Sequence, residues 1–284
     1  MPNTLPIPTS YDYYEELTTA IDLARRAGDL LLRIHRQGPR RIATKMTAVD
    51  MVTEADTASQ ALILETITAR FPDHAIMAEE DGGDKTNGGR VRWLIDPLDG
   101  TTNFASRFPV FAVSIAMCVD GRPAIGVVQD VVRERTYWAA AGLGAWMGAP
   151  VNLGEVQLRV SQTQELKQSL IATGFPYIRA ETDDNNLAEF SYLMPKVRGV
   201  RRAGAAALDL AWLADGRLDG YWEAHLWPWD WGAGVLMIIE AGGVVTDYAG
   251  EPWRLGANQM VAANPHLHEK LLTAIQKARA AAGF

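Results

Sequence analysis

The sequence predicts a layered protein of mixed helices and sheets, of the α/β or α+β class. Three observations carry this reading: helical periodicity near the N-terminus, short β-type runs through the middle, and alternating strands and helices after Gln168. No linker, internal repeat or low-complexity stretch divides the 284 residues, which is length enough for a large shared core.

From Tyr14 to His35 the positions Leu17, Ile21, Ala24, Ala27, Leu30, Leu31 and Ile34 recur at three and four, the spacing of an amphipathic helix. Thr53 to Phe71 repeats it with Ala58, Leu62, Ile63, Ile67 and Phe71, and Pro72 stops it. Between Ile76 and Ala140 the segments Val91 to Ile95, Phe111 to Val119, Ala124 to Asp130 and Arg135 to Ala139 read as strands. Asp120-Gly121 is a hairpin signal between two of them, and hence predicts an antiparallel sheet. Farther on come a strand at Ser169 to Ala172, helices around Asp184 to Met194 and over Ala205 to Leu213, and a strand over Gly220 to Glu223. A helix from Asp230 to Ala241 ends on the glycine cap Gly242-Gly243, followed by a strand to Thr246 and a terminal helix from Pro265 to Ala281.

Composition narrows the function classes. With 48% hydrophobic and 21% charged residues the chain should fold as an ordinary globular protein. Its net charge of -7 comes without a basic stretch, so nothing supplies the clustered cations that a nucleic-acid backbone requires, and no direct nucleic-acid partner is expected. An acidic protein that handles anionic phosphates needs positive charge in its site, which divalent metal ions provide. The single cysteine, Cys118, lies in the apolar run Phe111 to Val119 and reads as a buried thiol in a reducing compartment. Met1 to Ser10 lacks a basic segment followed by an apolar one, and no apolar stretch approaches the roughly 18 residues of a membrane helix. The expected location is cytoplasmic, with no membrane partner.

The most informative stretch runs Trp93-Leu94-Ile95-Asp96-Pro97-Leu98-Asp99-Gly100-Thr101-Thr102-Asn103-Phe104. An apolar strand delivers Asp96 at its end, Pro97 presets a tight turn, and Asp99 returns three residues later. Two carboxylates aimed at one point repel each other unless they share a cation, and hard oxygen ligands suit Mg²⁺. The Leu98 carbonyl offers a third oxygen, and Gly100-Thr101-Thr102 can open a short helix whose N–H groups face an anion such as phosphate.

This string resembles the signature of the inositol monophosphatase family, hydrophobic-Asp-Pro-hydrophobic-Asp-Gly-Thr-Thr-Asn-Phe. Glu79-Glu80 looks like the family's upstream glutamate pair, although Ala78 stands where glycine is common. Trp227-Pro228-Trp229-Asp230-Trp231-Gly232-Ala233-Gly234 resembles the second signature, with the three tryptophans expected to bury its surroundings. Together with Lys45 to Asp56 and Gly204 to Glu223, the likeness extends from about residue 15 to 270. It implies the αβαβα sandwich of the metal-dependent sugar phosphatases as one domain over residues 1–284, with an N-terminal α+β half to about 150 and an α/β half from about 151.

The resemblance also implies roles. Glu79, Asp96, Asp99, Asp230 and the Leu98 carbonyl become ligands of two or three Mg²⁺ per site. Asp56 and Thr101 would polarise an attacking water that Glu79 orients or deprotonates, while Asp99, Gly100, Thr101, Thr102, Gly204, Ala206 and Glu223 would contact substrate. Asp56 also completes a Thr-x-x-Asp helix start with Thr53, which needs no catalysis to explain it. The implied chemistry is hydrolysis of a small phosphate monoester by a metal-activated water. No Cys-x5-Arg loop is present to form a covalent thiol intermediate.

A carboxylate at Glu223 accepts two polyol hydroxyls or attracts the amine of an amino-alcohol phosphate. Glu223 by itself therefore does not choose between inositol and histidinol phosphates; its Tyr-Trp-Glu context and Gly204-Ala205-Ala206-Ala207 favour inositol 1-phosphate over histidinol phosphate, fructose 1,6-bisphosphate and 3'-phosphoadenosine nucleotides, without the last three being removed. The family likeness further implies lithium sensitivity and a homodimer, and some bacterial relatives also bind the transcription machinery. Other features read as structural: Gly142-x-Gly144-x-x-x-Gly148 as a tight turn, and His225 as a structural histidine. The pair Arg201-Arg202 is either solvated or close to substrate or a partner.

Overall fold

The computed structural model describes residues 11–38, 42–44, 51–81, 83–84, 89–148 and 156–284. The resemblance at Lys45 to Asp50 lies outside the described residues. In chain order, α1 (Tyr14–Gln37), β1 (Ile42–Thr44), β2 (Met51–Thr53) and α2 (Glu54–Arg70) lead into β3 (Ala75–Ala78), β4 (Gly83–Asp84) and β5 (Val91–Asp99). Next come α3 (Thr101–Ala105), β6 (Ala112–Val119), β7 (Arg122–Asp130), β8 (Arg135–Ala140), β9 (Gly144–Met147) and β10 (Val156–Gln157). The rest comprises β11 (Leu170–Thr173), α4 (Leu187–Leu193), β12 (Gly199–Arg201), α5 (Ala206–Ala214) and β13 (Gly220–Ala224). It closes with α6 (Pro228–Glu240), β14 (Val244–Thr246), β15 (Gln259–Ala263) and α7 (His268–Ala282).

Among the described residues the larger sheet runs β10-β9-β8-β7-β6-β5-β3-β4 and the smaller β12-β11-β13-β15-β14. The Asp120-Gly121 hairpin forms as expected, with Val119 opposite Arg122 and both turn residues at positive φ. The larger sheet is not purely antiparallel, because β3 pairs with β5 in parallel. That pairing sets Ala78 against Ile95, so Glu79 and Asp96 leave adjacent strand ends side by side.

Three apolar clusters define the layers. Leu17, Leu23 and Leu31 of α1 and Ile63 and Ile67 of α2 cover one face of the larger sheet through Trp93, Ile115 and Val127. Its other face, through Leu94, Ala116 and Val128, packs on Leu210 of α5 and Trp231 and Val235 of α6, which in turn meet Tyr221 and Ala262 of the smaller sheet. Trp222 and Val261 on the far face of that sheet pack with Leu193 of α4 and Leu271 and Ile275 of α7. The order is therefore α, β, α, β, α. Helix α6 is apolar all round because it is covered on both sides, as a central-layer helix must be.

Several boundaries shift for identifiable reasons. Helix α4 begins at Leu187, three residues later than expected, because Asn186 adopts the left-handed region and Asp184 pairs with Arg279 instead of opening a helix. Helix α6 begins at Pro228, which is well suited to a first helical position, so Asp230 is its third residue and not its first. Its C-terminus closes as predicted, with the Gly243 and Gly242 N–H groups donating to the Ile238 and Ile239 carbonyls. Strands β12 and β15 were not anticipated, although β15 is the partner of both β13 and β14.

Candidate active site

The turn after β5 is a bulge: Asp96 faces Ser114 and Asp99 faces Ala112, so β5 takes three steps where β6 takes two. Pro97 sits in the bulge, where no ladder N–H is needed. The Leu98 N–H donates to Asp96 Oδ1 (3.0 Å), and Ser59 Oγ donates to the Pro97 carbonyl (2.8 Å), which holds the turn against α2. Gly100 follows at φ +91, where a Cβ would sit 3.0 Å from the Val110 carbonyl oxygen and 3.1 Å from that of Gly204. A side chain there would push the two halves apart, and α3 begins directly after it.

Asp99 faces across this junction. Its Oδ1 and Oδ2 accept the backbone N–H groups of Ala206 (3.1 Å) and Ala207 (2.8 Å), so it caps the start of α5. Burial still pushes its carboxyl up to about 7, with the charges of Glu79 and Glu223 adding to the effect and those two N–H groups opposing it. Asp96 is raised further, by burial first and then by the charges of Glu79, Asp99 and Asp230 and by a hydrogen bond to the Glu79 carboxyl. Asp230 is raised by burial and then by Glu79, while its Oδ2 accepts the Trp227 N–H at 2.7 Å.

Two carboxyls in hydrogen-bonded contact must share either a proton or a cation. The carboxyls of Asp96, Asp99 and Asp230 thus all feel the charge of Glu79, and hard oxygen donors of this kind fit a divalent cation. Among the described residues, however, no three His, Cys, Asp or Glu side chains are gathered closely enough to hold a metal ion as placed. The hydrogen bonds explain the spread: both oxygens of Asp99 and one each of Asp96 and Asp230 are turned to backbone donors. The Glu79 carboxyl, the other oxygens of Asp96 and Asp230 and the Leu98 carbonyl could close around an ion, joined by the Asp99 lone pairs that its two amide bonds leave open.

Beside this cluster Asp56 is fully buried. Its Oδ2 accepts both the N–H (2.8 Å) and the hydroxyl (2.7 Å) of Thr53, and its Oδ1 accepts the Thr101 hydroxyl (3.0 Å). The capping role and the contact with Thr101 are therefore both present in one side chain. Burial raises the Asp56 carboxyl and these three bonds oppose the rise. Thr101 Oγ1 also lies 3.1 Å from the Leu98 carbonyl. Its single proton serves one acceptor at a time, which leaves the hydroxyl oxygen free to accept from a third partner.

Glu223 ends β13 across the cleft. The Tyr221 hydroxyl donates to Glu223 Oε2, and burial pushes the carboxyl up to about 7 against that bond and the Arg202 cation. Arg202, exposed like Arg201, thus stands close enough to act on the site electrostatically. A Cβ on Gly174 would lie 2.0 Å from Glu223 Oε1, so the carboxylate occupies space that only glycine leaves. Asp209 is buried in α5 with Oδ1 unpaired, and its carboxyl is raised by burial and then by Glu223 and Asp99.

Sequence reasoning missed Tyr221, Gly174, Asp209 and Asn103. The last donates from Nδ2 to the Val110 and Ala203 carbonyls (2.8 Å each) and to that of Gly204 (3.3 Å), pinning α3 to the segment before α5. Asn103 stood inside the signature string and Tyr221 two residues before Glu223 on the same strand face, which were their signals; Gly174 and Asp209 gave none.

Trp229 and Trp231 are buried as expected, but Trp227 is 59% exposed. It precedes α6 and its ring can only lie outside the packed layer, stacked on Trp229. His225 proves structural, with Nε2 3.0 Å from the Asp184 carbonyl oxygen. The Gly142 and Gly144 turn is tight, its N–H groups donating to the two carboxylate oxygens of Glu240 at 2.8 Å each.

A five-layer sandwich with acidic side chains converging from two strand ends, a bulge and a helix start defines a hydrolase of phosphoric esters. The inositol monophosphatase family model matches residues 12–280. An inositol-1-monophosphatase of Synechocystis sp. is 46% identical over 82% of this chain and 79% of that protein. The Nus factor SuhB of Pseudomonas aeruginosa is 41% identical over 92% of this chain and 95% of that protein. The solved inositol monophosphatase from Anabaena (Nostoc) sp. PCC 7120 superimposes with a TM-score of 0.84 at 41% identity, covering 94% of this chain and 97% of that one. The chain belongs to the inositol monophosphatase family, whose members are generally metal-dependent phosphoric monoester hydrolases.

Proposed function

We propose that this protein hydrolyses small phosphate monoesters with Mg²⁺, two or three ions per site, and that inositol 1-phosphate is its preferred substrate. The observation that carries the reading is the hydrogen-bonded contact of Asp96 with Glu79 inside a cluster that also includes Asp99 and Asp230, beside the Asp56–Thr101 pair. Glu79, Asp96, Asp99, Asp230 and the Leu98 carbonyl would hold the ions. When bound, such ions neutralise phosphoryl and leaving-group oxygens and acidify water.

The chain's own groups supply the rest. The Thr101 hydroxyl donates to Asp56 and would accept a hydrogen bond from the attacking water, which fixes the direction of attack, while Glu79 would orient that water or take up the one proton it loses. Backbone N–H groups at Gly100, Thr101 and Thr102 face the phosphate, while Glu223, Gly204 and Ala206 meet the alcohol portion. Glu223 retains Oε1 for a hydroxyl because Tyr221 engages Oε2. The same acceptor would serve an amino-alcohol phosphate, and a homodimeric, lithium-sensitive, cytoplasmic enzyme is part of the proposal.

The test is phosphate release from inositol 1-phosphate, histidinol phosphate, fructose 1,6-bisphosphate and 3'-phosphoadenosine 5'-phosphate, with and without Mg²⁺. Turnover should require Mg²⁺, favour inositol 1-phosphate, and fall roughly a hundredfold or more in Asp99→Asn. An Asn can present only one acceptor oxygen to the two N–H groups of α5. Preference for another ester would move the substrate and keep the site.

A second reading is favoured by the relatives named Nus factor SuhB, at 38–41% identity. On it the chain binds the transcription machinery, with or without turnover. Tight capture of RNA polymerase in the absence of Mg²⁺-dependent hydrolysis would make that the leading function.

A further inference from the structure

The strand that presents Glu223 and the helix that presents Asp230 are joined by a short loop of unusual construction. His225 turns it at φ +64, a left-handed conformation that a non-glycine side chain adopts only when held. It is held: the His225 N–H donates to the Asn258 carbonyl (2.6 Å) and its ring contacts the Asp184 carbonyl. Trp227 follows, its N–H fixed on Asp230 Oδ2 at 2.7 Å and Pro228 after it. One face of its indole lies on Trp229, with ring centroids 5.4 Å apart and planes 11° from parallel, and the side chain keeps 59% of its surface exposed.

An exposed tryptophan costs solvation free energy that a surface loop would ordinarily avoid. Here it is also immobilised at three levels: backbone turn, carboxylate contact and ring stack. A rigid exposed aromatic face, anchored by its own N–H to Asp230 and four residues along the chain from a carboxylate able to accept hydroxyls, is a pairing suited to a saturated ring. Such a ring has hydroxyls at its edge and C–H bonds on its face. An acyclic polyol has the hydroxyls without the face.

We infer that Trp227 is a specificity-determining residue, an aromatic platform on which the ring of a cyclic polyol phosphate rests while Glu223 accepts its hydroxyls. This rests on the phosphatase reading above and adds the discrimination between cyclic and acyclic leaving groups.

The experiment compares inositol 1-phosphate with glycerol 2-phosphate in wild type, Trp227→Ala and Trp227→Phe, measuring kcat/KM with Mg²⁺ and binding of both esters by calorimetry. The backbone N–H that holds Asp230 survives in both variants. In Trp227→Ala the ratio of inositol to glycerol ester should fall about tenfold in kcat/KM and rise about tenfold in Kd, and Phe should restore most of both. Equal losses for the two esters, or no loss, would overturn the platform while leaving the phosphatase reading intact. Conversion of Trp227→Ala to a smaller oligomer on light scattering would also overturn it, by showing that the indole serves a contact between subunits. Failure of wild type to hydrolyse either ester would sink the phosphatase reading. Calorimetry then still decides on the platform, since equal binding of the two esters, or none, rejects it.

Discussion

At the level of single residues the site is a set of carboxyls each held off its ordinary proton affinity by burial, and Glu223 is the one whose effect on substrate can be isolated. Its carboxyl stands at about 7, so it is mostly protonated below that pH and ionised above it. Only the ionised form offers a full acceptor to a hydroxyl. KM for inositol 1-phosphate should therefore fall several-fold as pH rises from 6 to 8. Glu223→Gln should show only the pH dependence of the ester's own phosphate, and KM profiles of both proteins measure the difference. A profile of equal slope in the two would mean that Glu223 does not titrate against substrate.

Which site residues could be read from the sequence follows from the range of their contacts. Asp96 and Leu98 act through a turn, and Asp56 in part through a capping box, a few residues long, which the order of residues spells out; Asp99, Gly100 and Thr101 reach across the fold and were legible through the signature string that holds them. Gly174 matters because of Glu223, 49 positions later, and Asn103 because of Ala203, 100 positions later. Nothing local distinguishes that glycine from any other. Trp227 was misread because tryptophan is usually buried, and its exposure depends on where the loop leaves the layer.

At the scale of elements, the joint between α3 and α5 carries the geometry of the cleft. Asn103 supplies its hydrogen bonds from one amide nitrogen, and Gly100 lets the backbones meet. Asn103→Ala leaves the Val110 and Ala203 carbonyls without their donor and should cost about 2 kcal/mol in urea unfolding. The same variant should raise KM more than it lowers thermal stability would suggest, because Gly204 and Ala206 move with the joint. Helices were located by their three-and-four spacing to within a few residues, and α6 by its cap. Strand β15 escaped because Gln259-Met260-Val261-Ala262-Ala263 is a short apolar run without alternation, covered on both faces by layers that only the complete fold supplies.

For the whole molecule, the layer order places α5 and α6 between two sheets, and the described residues include no helix long and apolar enough to cross a membrane. Global stability should respond to pH through His268, at the start of α7, which lies 3.0 Å from Thr246 Oγ1. Burial holds its pKa below the usual value, so between the folded and unfolded values the unfolded chain binds the proton and the folded one does not. That contribution is full above about pH 6.5 and is lost as pH falls below it. Urea unfolding between pH 7 and 5 should show wild type losing stability more steeply than His268→Gln, by at most about 1.4 kcal/mol per pH unit. Parallel curves would show that the ring titrates alike in both states.

The cap that Asp99 places on α5 has a consequence for how the cleft communicates. A carboxylate that grips two amides of a helix cannot be drawn toward an ion without the helix feeling it, and the pull is mutual. If Asp99 holds an ion as proposed, ion occupancy on one bank and the posture of Ala206 on the other would be two readings of a single spring. A site so strung would need no separate relay to tell its far wall that an ion has arrived.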